Sequence, residues 1–280
     1  MRNFNNKVAA ITGAASGIGR SLALTLAREN CALALSDVNE IGLQETADKV
    51  RALGVKVTTT KVNVADQAAM HAWAAQVVKE HGKVNLIFNN AGVALGSTVE
   101  DTKYEDYEWI MGINLWGVIY GTKAFLPYLK QAGEGHVVNV SSIFGLFSQP
   151  TQSGYNMTKF AVRGFTESLR QELDIENGGV SATCVHPGGI KTNIARNARM
   201  DQSVLKLTGG KGSTEKMTQQ FEKLFSTSSD QAAQTILNAV RRDARRVLIG
   251  SDAKAADIMQ RLLPVVYQKL VTASFKLSNR

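Results

Sequence analysis

A tyrosine and a lysine stand four residues apart in the stretch Ser153-Gly154-Tyr155-Asn156-Met157-Thr158-Lys159. The surrounding pattern predicts a helix over about 154–176, and on a helix residues i and i+4 share a face. A phenol beside an ammonium can carry protons. The cation favours phenolate, so the tyrosine pKa is expected to fall from about 10 toward working pH. That makes a competent acid or base of a group that is ordinarily neither. The same pair also fits a solvated helix face, so its meaning depends on its company.

Two other groups could hold a ligand. Gly13, Gly17 and Gly19, in the run Gly13-Ala14-Ala15-Ser16-Gly17-Ile18-Gly19, lie between an apolar strand and a helix. Glycines permit the tight turn and let the backbone approach a pyrophosphate, which then sits on the helix N-terminus. The spacing is Gly-x-x-x-Gly-x-Gly rather than Gly-x-Gly-x-x-Gly, and a turn with no ligand is the plain alternative. Asp37 ends the second strand, eighteen residues past Gly19. A carboxylate there can accept both hydroxyls of an adenosine ribose and would repel a 2′-phosphate. Ser16, Val38 and Asn39 offer no cation to neutralise one, and Arg20 falls within the helix and is expected to point elsewhere. NAD is therefore favoured over NADP. Capping the next helix is the other role open to Asp37.

The elements that must position these groups alternate. Strands are predicted at 7–12, 31–37, 55–64, 84–89, 137–140, 180–185 and 247–249, with helices at about 17–30, 40–53, 66–81, 104–131 and 154–176. Gly54 and Gly82 are the expected C-caps. The strands read as unbroken apolar runs, the mark of a parallel sheet covered on both faces. The expected fold is α/β, a doubly wound Rossmann-type sheet of mostly seven parallel strands. Ligands of such sheets bind beyond the carboxyl ends of the strands, where strand order reverses. The glycine turn, Asp37, Asn90 and Ser142 all fall at those ends. Residues 1–250 read as one dinucleotide-binding catalytic domain, with a substrate lid at 189–228, followed by a C-terminal helical extension at 251–280.

With Thr12-Gly13-Ala14-Ala15-Ser16-Gly17-Ile18-Gly19, Asn89-Asn90-Ala91-Gly92, Asn114, Ser141-Ser142, Tyr155-x-x-x-Lys159 and Pro187-Gly188 in this order, the chain resembles the short-chain dehydrogenase/reductase family over about 5–192. The resemblance implies that Tyr155 is the catalytic acid/base. Lys159 would lower its pKa and bond the nicotinamide ribose. Ser142 would hold the substrate oxygen, and Asn114 a water that relays protons from Lys159. Gly13, Ser16, Gly17, Ile18 and Gly19 would cradle the cofactor, with Asp37 at the ribose. Asn90, Ala91 and Gly92 would shape the adenosine-ribose side, and Asn63 and Val64 would border adenine. Many members carry Asp where this chain has Asn63, but an amide can still bond the adenine edge. Pro187, Gly188 and Ile190 would flank the nicotinamide, and Thr192 would meet its carboxamide. Taken singly, Ser142 also fits a turn serine and Asn114 a residue bonded within its own helix.

The chemistry of the residues agrees with that implication. An alcohol oxygen must lose a proton as its carbon gives up hydride, a phenolate can take it, and a serine hydroxyl can stabilise the partly charged oxygen. The activity implied is hydride transfer between NAD(H) and a secondary alcohol or ketone. The alternatives are an NADP(H)-dependent carbonyl reductase and, in another class, a non-catalytic dinucleotide sensor or scaffold.

The net charge of +8 is spread along 280 residues, with one dense run at Arg241 to Arg246 and no nucleic-acid motif beside it. Attraction for an anionic cofactor accounts for it. Cys31 and Cys184 lie in apolar strand runs, as buried thiols of a reducing compartment do. No secretory signal or bilayer-length apolar run is present, so a cytoplasmic location is expected. His71, His81, His136 and His186 form no metal-ligand cluster, so no metal site is expected, and His186 reads as a packed or solvent-bonded imidazole.

Leu95, Phe144, Leu146 and Phe147 are expected to line the substrate pocket, under a lid carrying Ile194, Met200, Val204, Leu205, Leu207, Met217, Phe221, Leu224 and Phe225. The absence of a convergent cation there predicts an apolar substrate of lipid, steroid or xenobiotic type. In the extension, Ile258, Met259, Leu262, Leu263, Val266, Tyr267 and Leu270 recur at helical spacing, and Pro264 should kink or divide the helix. Packing on the core or a partner subunit is the favoured role of that face, with weak membrane-surface contact the other. The resemblance implies a homodimer or homotetramer.

Overall fold

The structure, a computed structural model, describes residues 1–207, 213 and 225–277. Among these, seven strands form one sheet: β1 (Val8–Thr12), β2 (Ala32–Asp37), β3 (Val57–Lys61), β4 (Leu86–Asn89), β6 (Gly135–Val140), β7 (Val180–Pro187) and β9 (Arg246–Ile249). Every pairing is parallel, in the order β3-β2-β1-β4-β6-β7-β9. A separate pair joins β5 (Leu95–Gly96) to β8 (Arg199–Met200). The apolar runs explain the sheet: β1 and β4 are buried along their whole length, as strands covered on both faces must be.

One face packs on α1 (Gly17–Arg28), α2 (Glu40–Arg51) and α8 (Ser229–Arg241) through Leu22, Leu26, Leu43 and Ile236. The other packs on α3 (Gln67–His81), α5 (Gly117–Gln131) and α6 (Ser153–Glu176) through Trp73, Phe125 and Leu173. Trp73 and Phe125 meet edge to face at 5.0 Å, a geometry worth about 1 kcal/mol beyond burial. The chain builds outward from β1 to β3, then crosses back to lay β4 on the other side of β1. That reversal leaves a crevice beyond the carboxyl ends of β1 and β4.

Four local expectations are refined. The predicted helix over 104–131 is α4 (Tyr104–Met111) and α5 with a π-helical turn, Gly112–Trp116, between them. Asn114 lies in that turn, fully buried. Gly54 lies two residues past the α2 C-cap, Ala52, whereas Gly82 does cap α3 with φ 78°. Pro264 divides the extension into α9 (Ser251–Leu262) and α10 (Tyr267–Leu277), because a mid-helix proline lacks the N–H and clashes with the preceding turn. Within 189–228 the described part holds β8 and a short α7 (Ser203–Leu207), while Met217, Phe221 and Leu224 lie outside the described residues.

Candidate active site

The glycine turn is held from behind. Thr12 Oγ1 accepts the backbone N–H groups of Asn90 (3.0 Å) and Ala91 (3.1 Å). The Asn90 amide donates to the carbonyls of Thr12 (2.9 Å) and Gly13 (3.2 Å). Asn90 thus fastens the β1 and β4 ends together while also facing the cavity. Gly13 and Gly17 take φ of +66° and +52°, where a side chain would be strained. A Cβ on Gly13 would lie 2.8 Å from the Ala91 Cα, and one on Gly17 would lie 3.0 Å from Thr192 Cγ2.

At the end of β2, Asp37 accepts N–H groups from Ala15 and Asn39, both at 2.9 Å. The cap of α2 is Asn39, which accepts from Gly42 N–H at 3.1 Å, so Asp37 does not serve as that cap. Arg20 turns away from the crevice. Its guanidinium donates to the carbonyls of Ala15 (2.5 Å) and Gly42 (3.1 Å), to Thr46 Oγ1 (2.9 Å) and to Glu45 (2.9 Å).

Ser142 lies two residues past β6 and caps a 3₁₀ turn, its Oγ accepting the Phe144 N–H at 3.1 Å. Its carbonyl accepts from His186 Nδ1 at 2.9 Å. Burial pushes the His186 imidazole down to about 4, so it is neutral and holds the strand end in place. Tyr155 and Lys159 project from the first turns of α6, both buried. Lys159 Nζ donates to the Val140 carbonyl at 3.0 Å and lies 5.5 Å from the centre of the Tyr155 ring. Burial pushes the lysine down to about 8. Burial also raises the Tyr155 phenol above its ordinary value, and the Ser142 hydroxyl pulls the other way. Desolvation thus works against the expected fall of the phenol, because burial disfavours the phenolate and the ammonium is turned to the Val140 carbonyl.

The Asn114 side chain is bonded to the chain just past β4. Its amide oxygen accepts Val93 N–H at 2.8 Å and its nitrogen donates to Val93 O at 2.9 Å. The side chain is thus spent on fixing the strand-to-loop exit after β4. A Cβ on the intervening Gly92 would come within 3.3 Å of Asn114 Oδ1 and 3.5 Å of Lys159 Nζ.

These groups border one cavity of about 390 Å³, the size of a small-molecule site. Gly13, Ser16, Gly17, Ile18, Asp37, Asn63, Val64, Asn90, Ala91, Gly92, Ser142, Tyr155, Lys159, Pro187, Gly188, Ile190 and Thr192 all face it. Gly19 and Asn114 do not line it but sit behind it. A Cβ on Gly19 would overlap the Gly13 carbonyl oxygen and come within 2.7 Å of Asn90 Nδ2, so this glycine lets α1 press against the turn. Among the described residues lining the cavity, Lys159 is the one cation and Asp37 the one carboxylate.

The expected pocket wall is corrected. Leu95 and Leu146 are core residues, 4% and 1% exposed, and neither they nor Phe144 and Phe147 line the cavity. Phe144 instead packs edge-on against Tyr155 at 6.1 Å. The apolar wall comes from Val93, Ile190, Ile194 and Phe225. The reason is packing: Leu95 and Phe144 are drawn into a cluster with Ile110 and Tyr155.

Asp252 was not singled out by the sequence. It lies in the first turn of α9, and its Oδ2 accepts the Gly189 N–H at 2.6 Å. A Cβ on Gly188 would overlap its carboxylate. The one available signal was an acid just past the final strand, at the ligand-bearing edge of the sheet. Asp252→Ala is expected to raise KM for the dinucleotide about tenfold, the worth of one hydrogen bond to a charged acceptor, with kcat nearly unchanged. Asp252→Asn should recover part of the loss, and initial rates at varied cofactor read both.

Known proteins are similar to this chain in sequence and fold. The family described as short chain dehydrogenase matches residues 7–203. The Mycobacterium tuberculosis protein SadH is 46% identical over 275 residues, covering 98% of this chain and 96% of its own. A cyclohexanol dehydrogenase of Acinetobacter sp. is 39% identical over 193 residues, 68% of this chain and 76% of its own. The crystal structure of a short chain dehydrogenase/reductase from Burkholderia phymatum in complex with NAD superposes with a TM-score of 0.87 at 29% identity, covering 96% of this chain and 97% of that one. With the glycine turn, the serine, the tyrosine and the lysine converging on one cavity, the chain belongs to the short-chain dehydrogenase/reductase family and is an NAD(P)-dependent oxidoreductase acting on CH–OH groups.

Proposed function

We propose that the protein oxidises an apolar secondary alcohol with NAD, or reduces the matching ketone with NADH. One observation carries both halves: the described cavity wall holds a single carboxylate, Asp37, at the adenosine end and a single cation, Lys159, which is buried and already bonded. A 2′-phosphate would meet a negative charge with Arg20 committed elsewhere. An acidic substrate would find no free cation on the described wall of the cavity. The similarity to a cyclohexanol dehydrogenase is consistent with a neutral, apolar alcohol.

The residues fit a dinucleotide. Gly13 and Gly17 leave no room for a Cβ at either position, and the N-terminal amides of α1 can meet a pyrophosphate. Asp37 would hold the adenosine ribose, Asn63 and Val64 the adenine, and Pro187, Gly188, Ile190 and Thr192 the nicotinamide. Once bound, the oxidised nicotinamide accepts hydride and brings a positive charge that favours phenolate. Tyr155 Oη takes the proton from the substrate oxygen, Ser142 Oγ donates to that oxygen as charge develops, and Lys159 carries the compensating charge at the ribose. Val93, Ile190, Ile194 and Phe225 keep water from the reacting carbon.

The reading includes a cytoplasmic homodimer or homotetramer. Supporting it are the free, buried Cys31 and Cys184 and the exposed Trp116, Met157 and Phe160 on the α5–α6 side. Among the described residues no helix is long and apolar enough to cross a membrane.

NADH formation across alcohols graded by chain length and ring size, run in parallel with NADP, tests the proposal. Turnover of short hydroxy acids equal to that of long or cyclic alcohols, or a preference for NADP, would overturn it. No turnover on any alcohol or ketone would favour a sensor. Asp37→Ala should raise KM for NAD roughly 10- to 100-fold through lost hydrogen bonds to a charged group and narrow the gap to NADP.

A further inference from the structure

The corner between α9 and α10 exposes more apolar surface than its own fold uses. From Leu262 to Leu270 only Tyr267 is buried. Leu262 and Val265 are 73% and 71% exposed, and Leu263, Val266, Leu270 and the preceding Ile258 are also open. Contiguous apolar surface of this kind marks a contact site. Its charge is one-sided. From Ile258 to Arg280 the sequence carries Arg261, Lys269, Lys276 and Arg280 and no Asp or Glu. Arg261 is tied to Asp257 at 3.0 Å, whereas the side chains of Lys269 and Lys276 are exposed.

We propose that this corner docks on an anionic lipid surface, with Leu262, Val265 and Leu270 entering the headgroup–acyl boundary and Lys269 and Lys276 reaching lipid phosphates. Apolar side chains beside lysines with no intervening carboxylate are what such a surface recognises. A second copy of the chain fits less well. Two such faces brought together would set lysines against lysines, with no carboxylate between Ile258 and Arg280 to answer them.

The corner is also joined to the chemistry. Tyr267 turns inward, meets Phe147 edge to face at 6.1 Å and accepts the Ser148 N–H at 3.4 Å. Phe147 meets Phe144 at 5.5 Å, and Phe144 meets Tyr155 at 6.1 Å. A row of four packed rings thus joins the lipid-facing corner to the phenol without opening into the cavity.

Co-sedimentation of the full chain with vesicles tests the contact directly. The protein should pellet with phosphatidylcholine vesicles containing phosphatidylglycerol and stay in solution with phosphatidylcholine alone, and high salt should release it. Leu262→Asp combined with Val265→Asp, and separately Lys269→Glu combined with Lys276→Glu, should each weaken vesicle binding roughly tenfold or more. Turnover of a water-soluble alcohol should be unchanged in both variants, which shows that they fold. No pelleting, or equal pelleting with both vesicle types, would overturn the proposal. So would a fall in oligomeric state of the Leu262→Asp, Val265→Asp protein without vesicles, which would assign the corner to a second copy.

Discussion

Tyr155→Phe is expected to lower kcat for alcohol oxidation roughly 10³-fold or more while leaving the Kd for NAD and NADH within about twofold. Only the phenol oxygen is lost, and the ring keeps its packing against Phe144, so the fold and the dinucleotide cradle stay as they are. The acidity of the group sets a second, sharper expectation. Burial holds the phenol above its ordinary pKa and brings the Lys159 ammonium down to about 8. Oxidation needs the phenolate, so its rate should climb with pH across the alkaline range. Ketone reduction needs the phenol, so its rate should fall over that range. In the phenylalanine variant the residual rates in both directions should lose this dependence. Stopped-flow measurement of hydride transfer at varied pH reads all of it, and a variant retaining a tenth of the activity would remove Tyr155 from the role of base.

Gly19→Ala carries the next largest effect, on a residue that does not touch the cavity. The added methyl would overlap the Gly13 carbonyl oxygen and crowd the Asn90 amide. Neither neighbour can give way freely: Gly13 is backbone at φ +66°, and the Asn90 amide is bonded to two carbonyls. Overpacking of this kind costs about 3 kcal/mol, which for a chain of this size lowers Tm by roughly 6–12 °C. Because the strain falls on the phosphate cradle, NAD affinity should fall with it. Gly164→Ala is the internal control. It sits in a helix with nothing within 4 Å of the new methyl, so it should leave Tm unchanged or raise it slightly. Equal melting temperatures for the two variants would show that α1 does not need its close approach.

Much of the scaffold was legible because its signals are local. Apolar runs such as Val8–Thr12 and Leu86–Asn89 read as buried strands since both faces are covered. Asp37 stood out because an acid ends an otherwise apolar strand. What escaped was set by partners distant in sequence. Asn114 looked like part of one long helix, and only its two bonds to Val93 explain the π-helical turn around it. Leu95 and Leu146 have the right chemistry for a pocket wall, but Leu95 packs with Ile110 and Tyr155 and Leu146 is buried after the 3₁₀ turn, contacts set by residues distant in sequence. The burial of Tyr155 was likewise invisible in the spacing, because desolvation is a property of the packed molecule and has no signature in i and i+4.

A final consequence follows from the grip of Asp252 on Gly189. That aspartate opens α9, a rod of about 18 Å, and the same rod ends at Leu262 on the outer corner. Arg246 anchors it midway through Asp257. The helix Ser251–Leu262 is therefore tied to the catalytic body at both Asp252 and Asp257. A truncation that removed it would release the Gly189 backbone from its carboxylate partner.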